Sequence, residues 1–376
     1  MSQTEPIPLP DAGWISDYHH ALKDWYATHK RDLPWRRTDD PYAVWISEMM
    51  LQQTQVAQAR PYFERFMARF PTVHALAEAP MADILKLWEG LGYYARARNM
   101  GRAAKQIVAD HGGKIPNELA DLLTLPGIGP YTAAAVISIA YGKNHAVVDG
   151  NVVRVLCRLL NLQNRPDTAQ TRNVLFPLAD QLLEKGAASD YNQAVMELGA
   201  TVCLPKQPKC AVCPVRALCH GFTELEDPSV LPLKKVKKQR PHYTETAALI
   251  WRNNNLLIVR RPENGLLGGL WEFPGCRVEP GAAIEASLLS HLISVYGLTV
   301  SAPRPLAAPR HAFTHFSITL HGIECDWLSG DAPTDAEHPA RWVDLSELGQ
   351  FAFPKAQNRL IDALNRRIRN DQLTLF

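Results

Sequence analysis

A carboxylic acid on an apolar helix face is the first group in this 376-residue chain whose setting points to chemistry. Asp40-Pro41 reads as a helix start, an N-cap candidate followed by proline at the first helical position. On the helix so begun, Val44, Trp45 and Leu51 lie at i−4, i−3 and i+3 from Glu48. Apolar neighbours disfavour the charged form of a carboxyl group and raise its pKa. A carboxyl group still protonated near neutral pH is a general acid. The plainer reading of Glu48 is an edge glutamate paired with a distant arginine. A second carboxylate, Asp149, stands in Val147-Val148-Asp149-Gly150-Asn151-Val152, just ahead of an apolar-periodic helix. Taken alone it is an N-cap. It also follows Leu125-Pro126-Gly127-Ile128-Gly129-Pro130-Tyr131, where two glycines one residue apart permit a sharp turn with bare backbone. Amides at the start of the next helix then point outward, as amides that bind a phosphate do. Cleavage of a glycosidic bond needs an acid for the leaving group and a carboxylate for an oxocarbenium-like sugar. Glu48 and Asp149 fill those roles only if the fold brings them together.

Four of the seven cysteines form a second chemical cluster, Cys203, Cys210, Cys213 and Cys219, spaced C-x6-C-x2-C-x5-C. Short loops return each sulfur toward a common point, which suits a metal centre; four unrelated buried cysteines are the bland alternative. A structural zinc site usually has two tight pairs, and only one C-x2-C is present. Four thiolates on uneven loops also suit a [4Fe–4S] cluster. Spacing tilts toward the cluster and leaves zinc open. Lys206, Lys209 and Arg216 share these loops, as a solvated face or as a basic patch for phosphates.

The elements that must position these groups fall into two classes. Residues from about 14 to 200 read as successive helices, among them Pro41 to Val56, Pro80 to Leu91, Ala95 to Asp110, Pro130 to Tyr141 and Val152 to Leu160. After the cysteines comes a Pro- and Lys-rich stretch without period, read as a linker over 226–241. Then the pattern changes. Thr246 to Trp251 and Leu256 to Arg261 are strands around Asn253-Asn254-Asn255, a hairpin signal. Phe316 to Cys325 and Ala340 to Val343 are further strands, while Ile284 to Tyr296 and Ala356 to Arg366 are helical. The expected architecture is multidomain: an all-α domain over 1–225, the linker, an α+β domain over 242–368 and a tail over 369–376. The formal net charge of +2 means that a nucleic-acid partner would be held by local basic clusters, not by a global field. No run of about 20 apolar residues is present, so no membrane partner is expected. The opening residues lack a basic and then apolar signal pattern, so the expected location is cytoplasmic.

These motifs together resemble one family. WISEMMLQQTQV, GLGYYARARN, LPGIGPYTAAA, VDGNVVRVL, NQAVMELGATVC and the four cysteines are similar to the MutY-type adenine DNA glycosylases of the helix-hairpin-helix superfamily, which also holds endonuclease III. The resemblance spans nearly the whole chain. It implies a nucleoid-associated monomer that acts in base excision repair on duplex DNA carrying A·8-oxoguanine or A·G mispairs. Glu48 would protonate the adenine and Asp149 would stabilise the sugar cation or a covalent sugar intermediate, supported by Tyr131 and Asn151. Trp35, Leu51 and Gln193 match the adenine pocket. Gln53 and Tyr93 match residues that probe the opposite base and wedge into the stack, and Gly127 and Gly129 match the phosphate-binding hairpin. The cysteines match a [4Fe–4S] cluster. As isolated residues, Trp35, Leu51 and Tyr93 would read as core. The endonuclease III pattern has Lys where this chain has Tyr131, and without that amine no Schiff base with the sugar forms there. The expectation is a monofunctional glycosylase, against a bifunctional pyrimidine glycosylase or a non-catalytic iron–sulfur sensor.

The segment GLLGGLWEFPGCRVEPGAAIEASLLSHLISVYGL resembles the Nudix motif. It has Ala282, Ser290, His291, Ser294 and Val295 where that motif places its magnesium-binding glutamates and arginine. Hard cations need oxygen ligands, so a Nudix-like domain that binds without hydrolysing is expected. In the resembled family this domain reads 8-oxoguanine through a Phe-Ser-His loop; the matching residues here are Phe313, Thr314 and His315, an ordinary strand lead-in being the alternative. The final Gln372-Leu373-Thr374-Leu375-Phe376 resembles the peptide by which bacterial repair factors bind the sliding clamp, or else folds back on its own domain.

Overall fold

The computed structural model describes residues 10–163, 165–166, 168–233, 239–332 and 339–373. It divides into two compact units: Met1–Glu78 with Asn99–Lys237, and Ala79–Arg98 with Lys238–Phe376. Residues 79–98, which chain order puts inside the expected 1–225 domain, group with the C-terminal unit. Part of the expected 226–241 linker and the end of the clamp-like peptide, 374–376, lie outside the described residues, as do the side chains of Gln372 and Leu373.

The first unit is helical. Its opening helix, Ala12–His29, starts where Asp11 accepts the Trp14 amide at 2.9 Å and buries Tyr18, Leu22, Trp25 and Tyr26. That face joins Val155, Leu159, Leu182 and Leu198 in one core. Two helices run through the interior. Pro41–Leu51, capped by Asp40, is buried from Tyr42 to Met50, and Pro130–Tyr141 is buried from Thr132 to Ser138. Both are apolar all round, the signature of a helix with no solvent face. Pro130–Tyr141 ends at Gly142, whose φ of 65° gives the left-handed C-terminal stop. Two further helices, Gly150–Leu159 and Ala188–Thr201, complete the frame around the candidate site.

Sequence periodicity ran the Glu48 helix on to Val56, but it ends at Leu51 and a new helix, Val56–Arg69, follows. The polar run Gln52-Gln53-Thr54-Gln55 makes a turn instead, with Gln53 at φ 56°. Likewise the helix expected to Leu91 covers only Met81–Leu87, and Gly90 at φ 92° turns the chain away.

The second unit is built on a mixed sheet. Its spine is the pair His242–Arg252 and Ser317–Ser329, parallel from His242↔Ser317 to Trp251↔Asp326. The hairpin forms at Asn253 and Asn254, with φ of 48° and 67°, and pairs Arg252 with Asn255. Such left-handed pairs match strand twist in two-residue turns, and asparagine tolerates them. Ala247 and Leu249 face a core with Phe353, Leu360 and Leu364 of the C-terminal helix region, whereas Ala248 and Ile250 face Leu288 and Leu292 of the helix Ile284–Tyr296. Period-2 alternation on a sheet covered on both faces yields a continuous apolar run, as the sequence has here. The helix Lys355–Leu373 runs past the expected tail start at residue 369. No helix among the described residues is long and apolar enough to cross a membrane.

Candidate active site

The first unit brings the two carboxylates to one pocket. Its cavity of about 130 Å³ is lined by Glu48, Tyr131, Asp149, Asn151, Trp35, Leu51 and Gln193, with Arg31, Arg36 and Glu197. Glu48 is 5% exposed. Burial pushes its carboxyl up to about 7 from an ordinary 4.5, the nearby Asp149 charge adds to the rise, and the Tyr131 hydrogen bond and the Arg36 charge oppose it. A group that titrates there is protonated in part at neutral pH and holds either charge state at little cost. The Tyr131 hydroxyl donates to Glu48 Oε2. Tyr131, expected beside Asp149, therefore has its hydrogen bond to the acid, while burial and the nearby Glu48 and Asp149 charges keep its phenol protonated.

Asp149 is both an N-cap and a pocket group. Its Oδ1 accepts the Asn151 and Val152 amides at 2.8 and 2.7 Å, and its Oδ2 accepts Asn151 Nδ2 at 2.7 Å. Burial raises its pKa, and these donors, with the Arg154 charge, work against the rise. Arg154 in turn donates to Asn151 Oδ1 at 2.8 Å and to the Cys203 carbonyl at 2.7 Å, so one guanidinium fixes the amide that orients Asp149. Gly199 lets the helices meet: a Cβ there would stand 2.6 Å from that of Asn151. The hairpin is equally tight, since Gly127 sits at φ 77° and a Cβ would meet Asn99 Cβ at 2.6 Å. Gly129 is the N-cap of Pro130–Tyr141, which turns the start of that helix toward the hairpin.

Motif reading did not single out a charged group in the same pocket. Glu197 is fully buried and accepts Arg31 Nε at 2.6 Å, Arg31 Nη2 at 2.8 Å and Arg36 Nη2 at 2.8 Å. Burial works to raise its pKa; the two guanidinium groups outweigh it and hold the carboxylate below its ordinary range. The available signal was its spacing, four residues after Gln193 on one helix face, and the arginines flanking Trp35.

Cys203, Cys210, Cys213 and Cys219 border one hollow with Arg158, whose Nη1 lies 3.4 Å from Cys203 Sγ. Among the described residues no three His, Cys, Asp or Glu side chains converge as ligands of a single ion.

In the second unit, Phe313 stacks on Phe316 at 4.6 Å between ring centroids and meets His311 edge-on at 4.7 Å. That aromatic stack anchors the loop and leaves Thr314 and His315 exposed. The Tyr93 hydroxyl lies 2.6 Å from Thr314 Oγ1, and both line a hollow of about 740 Å³ with Arg98 and Arg240. Tyr93 and Gln53 share an unusual backbone: both are exposed, non-glycine and left-handed, with φ of 49° and 56°. Such conformations cost energy and cluster where side chains are aimed for function. Ser290, His291, Ser294 and Val295, four of the five positions at which the Nudix resemblance places glutamates and an arginine, lie on the helix Ile284–Tyr296.

Residues 46–178 match the HhH-GPD superfamily of base excision DNA repair proteins, and residues 246–363 match the NUDIX domain. The adenine DNA glycosylase of Homo sapiens is 34% identical over 93% of this chain and 74% of its own length. That of Buchnera aphidicola subsp. Acyrthosiphon pisum (strain APS) is 28% identical over 93% of this chain and 98% of its own. A solved thermostable thymine-DNA glycosylase is similar at a TM-score of 0.52 and 30% identity, over 56% of this chain and 97% of that one. With the paired carboxylates, these similarities define a DNA N-glycosylase of base excision repair carrying a Nudix-like C-terminal domain. Its reach along both domains goes further: the chain belongs to the adenine DNA glycosylases.

Proposed function

We propose that this glycosylase excises adenine paired with 8-oxoguanine or guanine in duplex DNA, and that it is monofunctional. The observation that carries the chemistry is the buried Glu48 carboxyl, raised to about 7 beside Asp149. The target nucleotide leaves the stack and its base enters the pocket walled by Trp35, Leu51 and Gln193. Glu48 gives its proton to the purine, at N7, as the C1′–N9 bond breaks and the bonding electrons leave with adenine. Asp149, whose carboxylate accepts three hydrogen bonds that favour its charged form, stabilises the cationic sugar. Water then adds to C1′ and its proton returns to Glu48, which restores the acid. Tyr131 offers a hydroxyl, not an amine, so the abasic site is the product and no Schiff base cleaves the strand. The amides around Gly127 and Gly129 hold a backbone phosphate.

The exposed Thr314 and His315 beside Tyr93 support reading of the opposite base by the second unit. Threonine keeps the hydroxyl of the Phe-Ser-His pattern and adds a methyl. Incubation with an A·8-oxoguanine duplex, then alkali, tests the whole reading: strand scission at the adenine is expected, and an intact strand would refute it. Scission without alkali would refute only the monofunctional part.

Cys203, Cys210, Cys213 and Cys219 are assigned to a [4Fe–4S] cluster. The four cysteines border a common hollow, and four thiol ligands on uneven loops with a single C-x2-C suit a cluster whose four irons take one sulfur each. Bound, the cluster would cross-link the loops. The chain's own Lys206, Lys209 and Arg216, all exposed, then present fixed cations to phosphate. Anaerobically purified protein should contain iron and acid-labile sulfide; one zinc and no iron would overturn the assignment.

A further inference from the structure

Residues 79–98 group with the C-terminal unit although they lie in the chain between segments of the other. Their attachment centres on Glu89. Its Oε1 accepts the Phe353 backbone amide at 2.8 Å and Asn358 Nδ2 at 2.9 Å. Its Oε2 accepts Lys86 Nζ, which also donates to the Phe351 carbonyl at 2.9 Å. One carboxylate thus ties the end of the Met81–Leu87 helix to the chain that enters the Lys355–Leu373 helix. A carboxylate suits three donors on two sides; glutamine would turn its amide toward the Lys86 ammonium, donor against donor.

The turn that leaves Glu89 has little freedom of its own. Gly90, Gly92 and Tyr93 are all left-handed, with φ of 92°, 79° and 49°. The Gly92 carbonyl accepts Trp88 Nε1 at 2.9 Å and Arg96 Nη2 at 3.1 Å, and the Gly90 amide donates to the Tyr94 hydroxyl at 3.1 Å. At the far end, Arg98 donates to the Gly268 carbonyl at 2.7 Å. Tyr93 therefore projects from a braced turn whose anchors belong to the domain carrying Thr314.

We infer that Glu89 is a positioning residue for the Tyr93 wedge: it locks the turn to the C-terminal domain, so that the domain carrying Thr314 helps set where Tyr93 meets DNA. The role of Tyr93 and of the loop rests on the function proposed above. Full-length Glu89→Ala, Glu89→Gln, Asn358→Ala and Tyr93→Ala are compared on a duplex with a stable abasic analogue in place of the adenosine and 2-aminopurine stacked beside the opposite base. Wild type should unstack the probe and brighten it. Glu89→Ala should lose most of that signal, approaching Tyr93→Ala, with Glu89→Gln and Asn358→Ala between. The ratio of single-turnover excision opposite 8-oxoguanine to that opposite guanine should fall about tenfold in Glu89→Ala, the scale of losing hydrogen bonds to a charged group. A merely structural Glu89 would lower the unfolding temperature and leave the probe signal of the folded, bound fraction at the wild-type level, and that result overturns the inference. If wild type itself shows no preference between the two opposite bases, the lesion reading fails instead, and the probe signal still decides the part played by Glu89.

Discussion

The pocket around Glu48 and the loop around Thr314 use the same kinds of atoms under opposite conditions. Glu48 sits among apolar side chains in the interior of a helical unit, where loss of water moves its carboxyl up to about 7. Thr314 and His315 stand in solvent at the edge of a sheet, carried by the half-buried stacking of Phe313 on Phe316. Burial changes what a group is chemically; exposure on a rigid support changes only what it can touch. The pocket should therefore govern whether the bond breaks, and the loop on which duplexes it breaks fastest.

That contrast can be broken at its strongest point first. Glu48→Gln should bind the mispair and lose adenine excision by at least about 10³-fold, the upper range for general acid catalysis. Near-normal single-turnover excision by this variant would sink the assignment. Asp149→Asn should fail in the same assay by a similar order, while its Oδ1 still caps the Gly150–Leu159 helix and circular dichroism stays unchanged.

The loop should respond differently. Replacing Phe313, Thr314 and His315 together with alanine should cut the preference for 8-oxoguanine over guanine about tenfold, one or two lost contacts, and spare excision opposite guanine. If both substrates slow equally, the loop contributes to binding at large and the contrast is gone. Deleting the chain after about residue 225 is a blunter version, because it also removes Phe353 and Asn358, to which Glu89 and hence the Tyr93 turn are tied.

Smaller effects sharpen the electrostatic half. Excision should decline above pH about 7 as Glu48 loses its proton. Tyr131→Phe removes a hydrogen bond that lowers the Glu48 pKa, so the declining limb should move to higher pH; a move to lower pH would contradict the proposed environment. Stability follows the same sign. Folded Glu48 keeps its proton from an ordinary 4.5 up to about 7, so across that window the folded state binds more protons and stability falls as pH rises. Glu48→Gln removes this penalty and should raise stability at pH 8 relative to pH 5, by up to about 3 kcal/mol, read from denaturant midpoints at the two pH values.

Much was legible from local pattern. Apolar spacing on the 41–51 segment marked Glu48 as a desolvated acid, and the Asp40-Pro41 and Gly129-Pro130 starts located both interior helices, because capping and periodicity are properties of a few neighbouring residues. The asparagine hairpin and the change from helical to strand period divided the chain for the same reason. The break at Gln53 escaped, since a single left-handed residue in a polar run leaves no periodic trace.

What tertiary structure decided was partnership. No local pattern indicates that Tyr131 donates to Glu48, 83 residues away, or that Arg31 and Arg36 hold Glu197 as a buried anion. Nor does chain order reveal that residues 79–98 group with the C-terminal unit, through a glutamate 264 residues from the amide it accepts. A sequence fixes which groups are present and how each segment tends to coil. Their charge states and aims come from groups that meet only when distant segments pack and exclude water between them.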